Sequence, residues 1–405
     1  MPSTSQLLAA LTSLTTLTTA YNRAACQAPT PNALHGCPNG TILVGPSANF
    51  TTIQSAILSL PNTTDPYTLL ITAGNYTEQI NVTRPGPVTL LGQTHHANNA
   101  SKNTVNVLWS NATGTPDTGT YDNAYTSTLT VAPTLNVSFT GAGPQGSPVA
   151  PDTPLGNRDF KAYNLNFQNT YRPYAAGPAL ALSVSYANAS FYYSQFLSYQ
   201  DTVYVGKIGN AYMHSCIVGG QTDFFYGFGT LWVQSSDVLL RGCGGGITAW
   251  KGTNTTFENK FGVYIHDGRV VKANDSLEIT HECALGRPWN ANMRSIFANN
   301  YLDDSIQPNG YIQWSATDPR IGPSKSALSL SITSLPRTLS KLTAVSKRYH
   351  DGRIPRLRPR LQRHRPPARG ERHDRVDDGA VSAILDAGEG LPISIRREVW
   401  EHGVD

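Results

Sequence analysis

Between residues 190 and 240 of this chain, short apolar runs return at a spacing of about 20 residues, within the range of coiled repeats. Ser194–Ser198, His214–Val218 and Gln234–Val238 align, setting Phe196 against Cys216 and then Ser236. One such repeat is too small to close a core of its own, so each must stack on the one before and share a continuous interior. The expectation is an all-β chain folded as a right-handed parallel β-helix. Runs of the same kind occur at Thr68–Thr72, Val88–Leu91, Thr128–Val131, Tyr163–Phe167, Leu180–Val184, Ser190–Phe196, Ala211–Val218 and Leu231–Leu240. No helical pattern long enough for a doubly wound α/β fold separates them. The Asn-Gly hairpin signals of a β-sandwich are nearly absent. The exception to the strand pattern is Phe50–Leu58, where Phe50, Ile53, Ile57 and Leu58 recur at helical intervals and predict one short helix.

Composition supports this reading: 35 Gly and 27 Pro among 405 residues, with many Ser, Thr and Asn, supply the turns that such a chain needs. Charge is uneven along it. Residues 1–320 carry 15 basic and 17 acidic side chains, a balance of −2, whereas 16 of the 31 Lys and Arg follow residue 320. By charge the main body is not a nucleic-acid binder. Beyond residue 322 the character changes: Arg353–Arg375 holds nine Arg with Pro355, Pro359, Pro366 and Pro367, and shows no strand alternation. Residues 323–405 are expected to be a disordered or aberrant tail, dispensable for the fold, with polyanion binding as the alternative for so many guanidinium groups.

Residues 1–20 carry no charge and include the apolar stretch from Leu7 to Leu17, which predicts a signal peptide. A disordered arm is the alternative, since no basic segment precedes the stretch. Asn-x-Ser/Thr sequons stand at Asn39, Asn49, Asn62, Asn75, Asn81, Asn99, Asn111, Asn136, Asn188, Asn254 and Asn274, and none follows in the tail. They point to a secreted glycoprotein. No later stretch reaches the ~18 apolar residues of a membrane span, so a soluble product with no membrane contact is expected; it is expected to be a monomer. Cys26 and Cys37 are expected to close a short disulfide loop near the start. Cys216, Cys243 and Cys283 read as buried small apolar residues, because no C-x-x-C pair or neighbouring His completes a metal shell.

Two acidic residues follow aligned strands: Asp201 in Gln200-Asp201-Thr202-Val203-Tyr204, and Asp223 in Thr222-Asp223-Phe224-Phe225-Tyr226-Gly227. Their spacing is about one coil, which would set the carboxyls on neighbouring strands ~4.8 Å apart. Like charges that close do not both ionise cheaply, so one carboxyl keeps its proton and the other is an anion. An acid beside a nucleophile results. The alternative is that each Asp serves only to satisfy turn amides.

Gln200-Asp201-Thr202-Val203-Tyr204, Asp223-Phe224-Phe225-Tyr226-Gly227 and Leu285-Gly286-Arg287-Pro288-Trp289 together resemble, in order and spacing, the three signature motifs of pectin methylesterases (pectinesterases), most closely the secreted fungal type. Gly74-Asn75-Tyr76-Thr77-Glu78 and the helix at Phe50–Ile57 resemble that family's opening elements, so that the likeness spans residues 40 to 320. The resemblance implies a parallel β-helix that hydrolyses methyl esters of polygalacturonate (pectin) without metal or other cofactor. By motif position Asp223 is the nucleophile and Asp201 the acid and then the base. Arg287 keeps Asp223 ionised and aimed, and Gln200 is an amide donor to the oxyanion. Tyr204, Phe225 and Trp289 at the same motifs are candidates for stacking on sugar rings, with core packing the alternative for each.

Three departures qualify the resemblance. Pro178 opens the strand Pro178-Ala179-Leu180-Ala181-Leu182 where the family has a Gln that donates to the oxyanion, and Pro lacks a donor. Trp250 replaces a Gln expected in the cleft floor, and the Gly-Trp-x-x-Trp segment reads Gly310-Tyr311-Ile312-Gln313-Trp314, without the family's closing strands. Two readings follow: an active esterase, or a non-catalytic pectin-binding or wall-surface protein on the same scaffold. A pectate lyase or polygalacturonase would need a Ca²⁺-type carboxylate cluster or a further catalytic Asp, and neither accompanies these motifs.

Overall fold

The computed structural model describes residues 21–114, 121–141, 147–252 and 261–320, with the backbone of Leu328–Leu330 and Ala344–Ser346. The expected signal peptide and the Arg-rich stretch 353–375 lie outside the described residues. Short strands coil repeatedly through three parallel sheets of nine, seven and eight strands. One coil is typical: Asn210–His214 in the first sheet, Ile217–Gly220 in the eight-stranded second sheet, Phe225–Gly227 in the seven-stranded third. Each strand then pairs in parallel with its counterpart one coil on, as Asn210–His214 does with Thr230–Gln234. This is a parallel β-helix, as expected.

Several apolar runs that read as single strands are two strands joined at a corner. Ser190–Phe196 divides into Asn188–Tyr192 and Gln195–Leu197, with Tyr193 between them at φ 52°. Ser215 at φ 52°, Ser235 at φ 49°, Asp267 at φ 57° and Asn299 at φ 57° turn the chain from the first sheet to the second in later coils. Most are short polar residues, which tolerate the left-handed region better than others. The register differs from the sequence alignment by two residues in the first step, where Phe196 pairs with Val218 rather than Cys216, and agrees with it in the second, where Val218 pairs with Val238. A slip of two keeps every side chain on its own face, because strand side chains alternate with a period of two. The in-and-out pattern therefore holds in both steps, and the register in the second.

The interior is filled by stacked residues from successive coils. Phe167 and Phe196 lie face to face with ring centroids 5.5 Å apart, and Phe191 meets Phe196 edge-on at 5.1 Å. The predicted helix forms over Ile53–Leu58. It buries Ile53, Ala56 and Ile57, while Leu58, expected on the apolar face, is 72% exposed. Thr52 caps it through Ser55 N, and Glu78 takes the free amides of Ile53 and Gln54, both at 2.8 Å. That is why a Glu closes the segment Gly74–Glu78: two unpaired helix donors meet one carboxylate. A second short helix, Arg23–Gln27, not expected from the sequence, is capped by Asn22, whose side chain accepts from the Ala25 amide.

Cys26–Cys37 forms the expected disulfide, and Cys216 is the expected buried thiol. Cys243 and Cys283, expected to be unpaired, are joined. Gly246 pairs with Ala284 across consecutive coils, so two cysteines 40 residues apart in sequence become neighbours in space. After residue 322 the chain is not without strands: Leu328–Leu330 and Ala344–Ser346 pair antiparallel, and the former passes within 8 Å, Cα to Cα, of Ser295–Ala298 at the end of the first sheet. No helix among the described residues is long and apolar enough to cross a membrane.

Candidate active site

The corner between the second and third sheets holds the candidate catalytic carboxyls. Asp201 and Asp223 occupy it one coil apart, both in the left-handed region, at φ 59° and 48°. Gln200 bridges to Thr222 in parallel, and the Asp201 amide donates to Thr222 O at 3.0 Å, so each Asp stacks on the next. Both are almost wholly buried, at 7% and 5% exposure. Arg287 directly follows the strand Ala284–Gly286, two coils beyond Phe225–Gly227. Its guanidinium grips Asp223 with two prongs, Nε to Oδ1 at 2.9 Å and Nη2 to Oδ2 at 2.6 Å. The Gly246 amide adds a third donor to Oδ1 at 3.0 Å. Such a charge-assisted fork fixes both position and orientation.

Asp201 is in the opposite situation. Burial first, and the Asp223 charge second, push its carboxyl well above the ordinary carboxylate range, with Arg287 opposing them. A carboxyl whose pKa is raised, stacked beside one that a guanidinium grips, is an arrangement that can donate a proton next to nucleophilic attack. Gly245 is packed into the same corner. A Cβ there would lie 2.5 Å from Asp223 Oδ1 and 2.7 Å from Arg287 Nε, so only glycine lets the fork close. The run Gly244-Gly245-Gly246 is the sequence signal for this part of the site.

The pectinesterase family model matches residues 153–321. A probable pectinesterase A of Aspergillus niger is 30% identical over 274 residues, covering 68% of this chain and 73% of that protein. The chain belongs to the pectinesterase family. Its chemistry is that of carboxylic ester hydrolases. The crystal structure of the Aspergillus niger pectin methylesterase is similar with a TM-score of 0.56 at 26% identity, covering 70% of this chain and 83% of that one. The carrot pectin methylesterase, at 22% identity, shares the fold with a TM-score of 0.53 over 69% of this chain and 78% of that one.

Within this pectinesterase scaffold the aromatic candidates separate. Phe225 is fully buried inside the coil, where strand alternation points it inward, and it cannot stack on a sugar. Tyr204 points outward but is covered, 4.9 Å from the Tyr226 ring and 6.1 Å from that of Phe228, so it too is packing rather than a sugar platform. Only Trp289 stays half-buried, with Tyr226 5.7 Å away and the Lys251 ammonium 3.7 Å from its ring centre. Burial lowers the Lys251 pKa to about 8, helped by the Arg320 charge. Trp314, from the segment Gly310–Trp314, lies 4.2 Å from the Arg287 guanidinium and 4.1 Å from that of Arg320.

Gln200 is half-buried beside the acidic pair, and its side chain makes no hydrogen bond among the described residues. Trp250 is not in the cleft floor. Its ring fills the interior and its Nε1 donates to Gly229 O at 3.2 Å, because position 250 alternates inward. Pro178 lies one coil before Gln200, whose carbonyl accepts from the Ala179 amide at 3.1 Å. Among the described residues no group of three or more His, Cys, Asp or Glu forms a candidate metal site.

Proposed function

We propose that this pectinesterase hydrolyses methyl esters of polygalacturonate, releasing methanol and leaving pectate, with Asp223 as nucleophile. The observation that carries the reading is one buried carboxyl, its pKa pushed well up by burial and by the neighbouring Asp223 charge, stacked on a second carboxyl held by a two-pronged guanidinium. Asp223 attacks the ester carbonyl carbon, and the tetrahedral oxyanion accepts from the Gln200 side-chain amide. As the carbonyl re-forms, the bond to methoxide breaks and Asp201 gives that oxygen its proton, releasing methanol. Asp223 is then joined to the sugar acid as an anhydride. Water attacks it while Asp201, now an anion, takes the water's proton. The product carboxylic acid leaves and Asp223 is regenerated. Trp289 lines the approach for the sugar chain.

Residues 21–322 form the catalytic unit, preceded by a signal peptide at 1–20, and the protein works outside the cell. A non-catalytic pectin-binding role is the second reading, favoured by Pro178, which offers no amide to the oxyanion. Purified protein incubated with methyl-esterified homogalacturonan decides between them. The expected result is methanol release without chain shortening, loss of that release in Asp223→Ala, and a faster rate in Pro178→Gln. Pectin binding with no methanol above the Asp223→Ala background would reject the esterase reading.

A further inference from the structure

The corner that holds Asp201 is approached by a short loop with no sequence motif of its own. Asn123 begins the 3-10 helix Asn123–Thr126, 78 residues from Asp201 in sequence. Its Nδ2 lies 3.3 Å from Asp201 Oδ2 and 3.4 Å from the Tyr226 hydroxyl. The two hydrogens of one amide thus have two acceptors, one of them the carboxyl that the proposed mechanism uses as acid. The loop is held in place from below. The Asp122 carboxylate accepts from the amides of Ala124, Thr140 and Gly141, each at 2.9 Å. Thr126 Oγ1 donates to Asn123 O at 2.8 Å and accepts from the Leu180 amide at 3.0 Å, tying the loop to the strand region next to Pro178.

We propose that Asn123 is a positioning residue for Asp201: its amide occupies Oδ2, leaving the acidic proton on Oδ1, the oxygen free to deliver it. An oxygen that receives an N–H hydrogen bond is disfavoured as the site of a proton, so the donor chooses between the two carboxyl oxygens. Tyr226, by accepting the second amide hydrogen, fixes the plane of the carboxamide. The groups facing Asp201 are Asp223 and Tyr226 from the next coil and Arg287 from beyond it, with Asp122 acting on Tyr226 from the loop. Among these, Asn123 is the neutral donor to Asp201.

The inference rests on the reading of Asp201 as the acid, and two measurements separate the failure of one from the failure of the other. Asp201 must be protonated to release methanol, so the rate falls as pH rises through its pKa. The Asn123 donor favours the anion, and its removal moves that fall to higher pH. Asn123→Ala is expected to shift the alkaline limb of kcat/KM upward by about one unit and to lower the plateau about tenfold. Asn123→Asp, similar in size but with a charge in place of the donor, is expected to shift the limb further in the same direction. The Asp201 carboxyl carbon, followed by ¹³C NMR in aspartate-labelled protein and assigned with Asp201→Asn, is expected to titrate about one unit higher in Asn123→Ala. An unchanged Asp201 titration in both Asn123 variants overturns the proposal, whether or not the wild type is active. An active wild type whose variants lose rate with an unmoved limb overturns it as well, since a structural role alone lowers the plateau. Absence of methanol from the wild type, with the titration shift present, counts against the esterase reading only.

Discussion

At the scale of the residue, the site depends on two chemically identical side chains placed in different surroundings. Asp223 meets three N–H donors, two from the Arg287 guanidinium and one from Gly246. Asp201 meets burial and a like charge, and its pKa is raised. That shift has a cost for the fold. A carboxyl that binds its proton more tightly in the folded state stabilises the protein fully below the ordinary Asp value of 3.8, and this contribution is lost as pH climbs through the folded-state value. Within that window stability falls by up to ~1.4 kcal/mol per pH unit. Asp201→Asn keeps the shape and removes the titration. Its thermal midpoint, compared with wild type from pH 4 upward, is expected to gain steadily on the wild type across the window and then hold a constant lead, while methanol release is lost. A constant difference at every pH would show that Asp201 does not titrate abnormally.

At the scale of the element, the strand is the unit that decides which residues meet. Because each coil lays one strand on the last, residues tens of positions apart become neighbours, as Cys243 and Cys283 do, and as Asp201 and Asp223 do. The same stacking leaves the last strand of each sheet with an unpaired edge. Ser295–Ala298 ends the first sheet, and Leu328–Leu330 runs close beside it. The expectation that everything after residue 322 is dispensable therefore divides. Removing residues 347–405 is expected to leave the melting temperature unchanged. Removing residues 323–405 is expected to lower it and to promote aggregation through the bared strand. Equal melting temperatures for the two truncations would show that Leu328–Leu330 contributes nothing to that end of the β-helix.

At the scale of the whole molecule, the sequons are spread over the outside of the coil. Asn39, Asn49, Asn62, Asn75, Asn99, Asn136 and Asn274 are exposed, whereas Asn81, Asn111 and Asn188 are half-buried. A glycan added at any of the first seven meets solvent, so the fold accommodates passage through a secretory pathway. Expression in a eukaryotic secretory host is expected to give a medium-borne product whose mass drops on enzymatic deglycosylation. A product retained in the cell without modification would contradict secretion.

The amino-acid sequence by itself determined the coil. Short strands, short turns and a repeat near 20 residues admit few other packings, since no single repeat can bury its own apolar face. It also marked Asp201 and Asp223 by a spacing of about one coil, while Gln200 and Arg287 were marked by the resemblance of their motifs to the family's. Tertiary structure alone decided the rest. The inward direction of Phe225 and Trp250, and the cover over Tyr204, followed from the register and from what packed on each face. The partner of Cys243 and the approach of Asn123 to Asp201 are contacts made across coils by segments 40 and 78 residues apart. Local pattern carries no information about such pairs, because the number of residues in each turn varies and only the finished stack sets which turns meet.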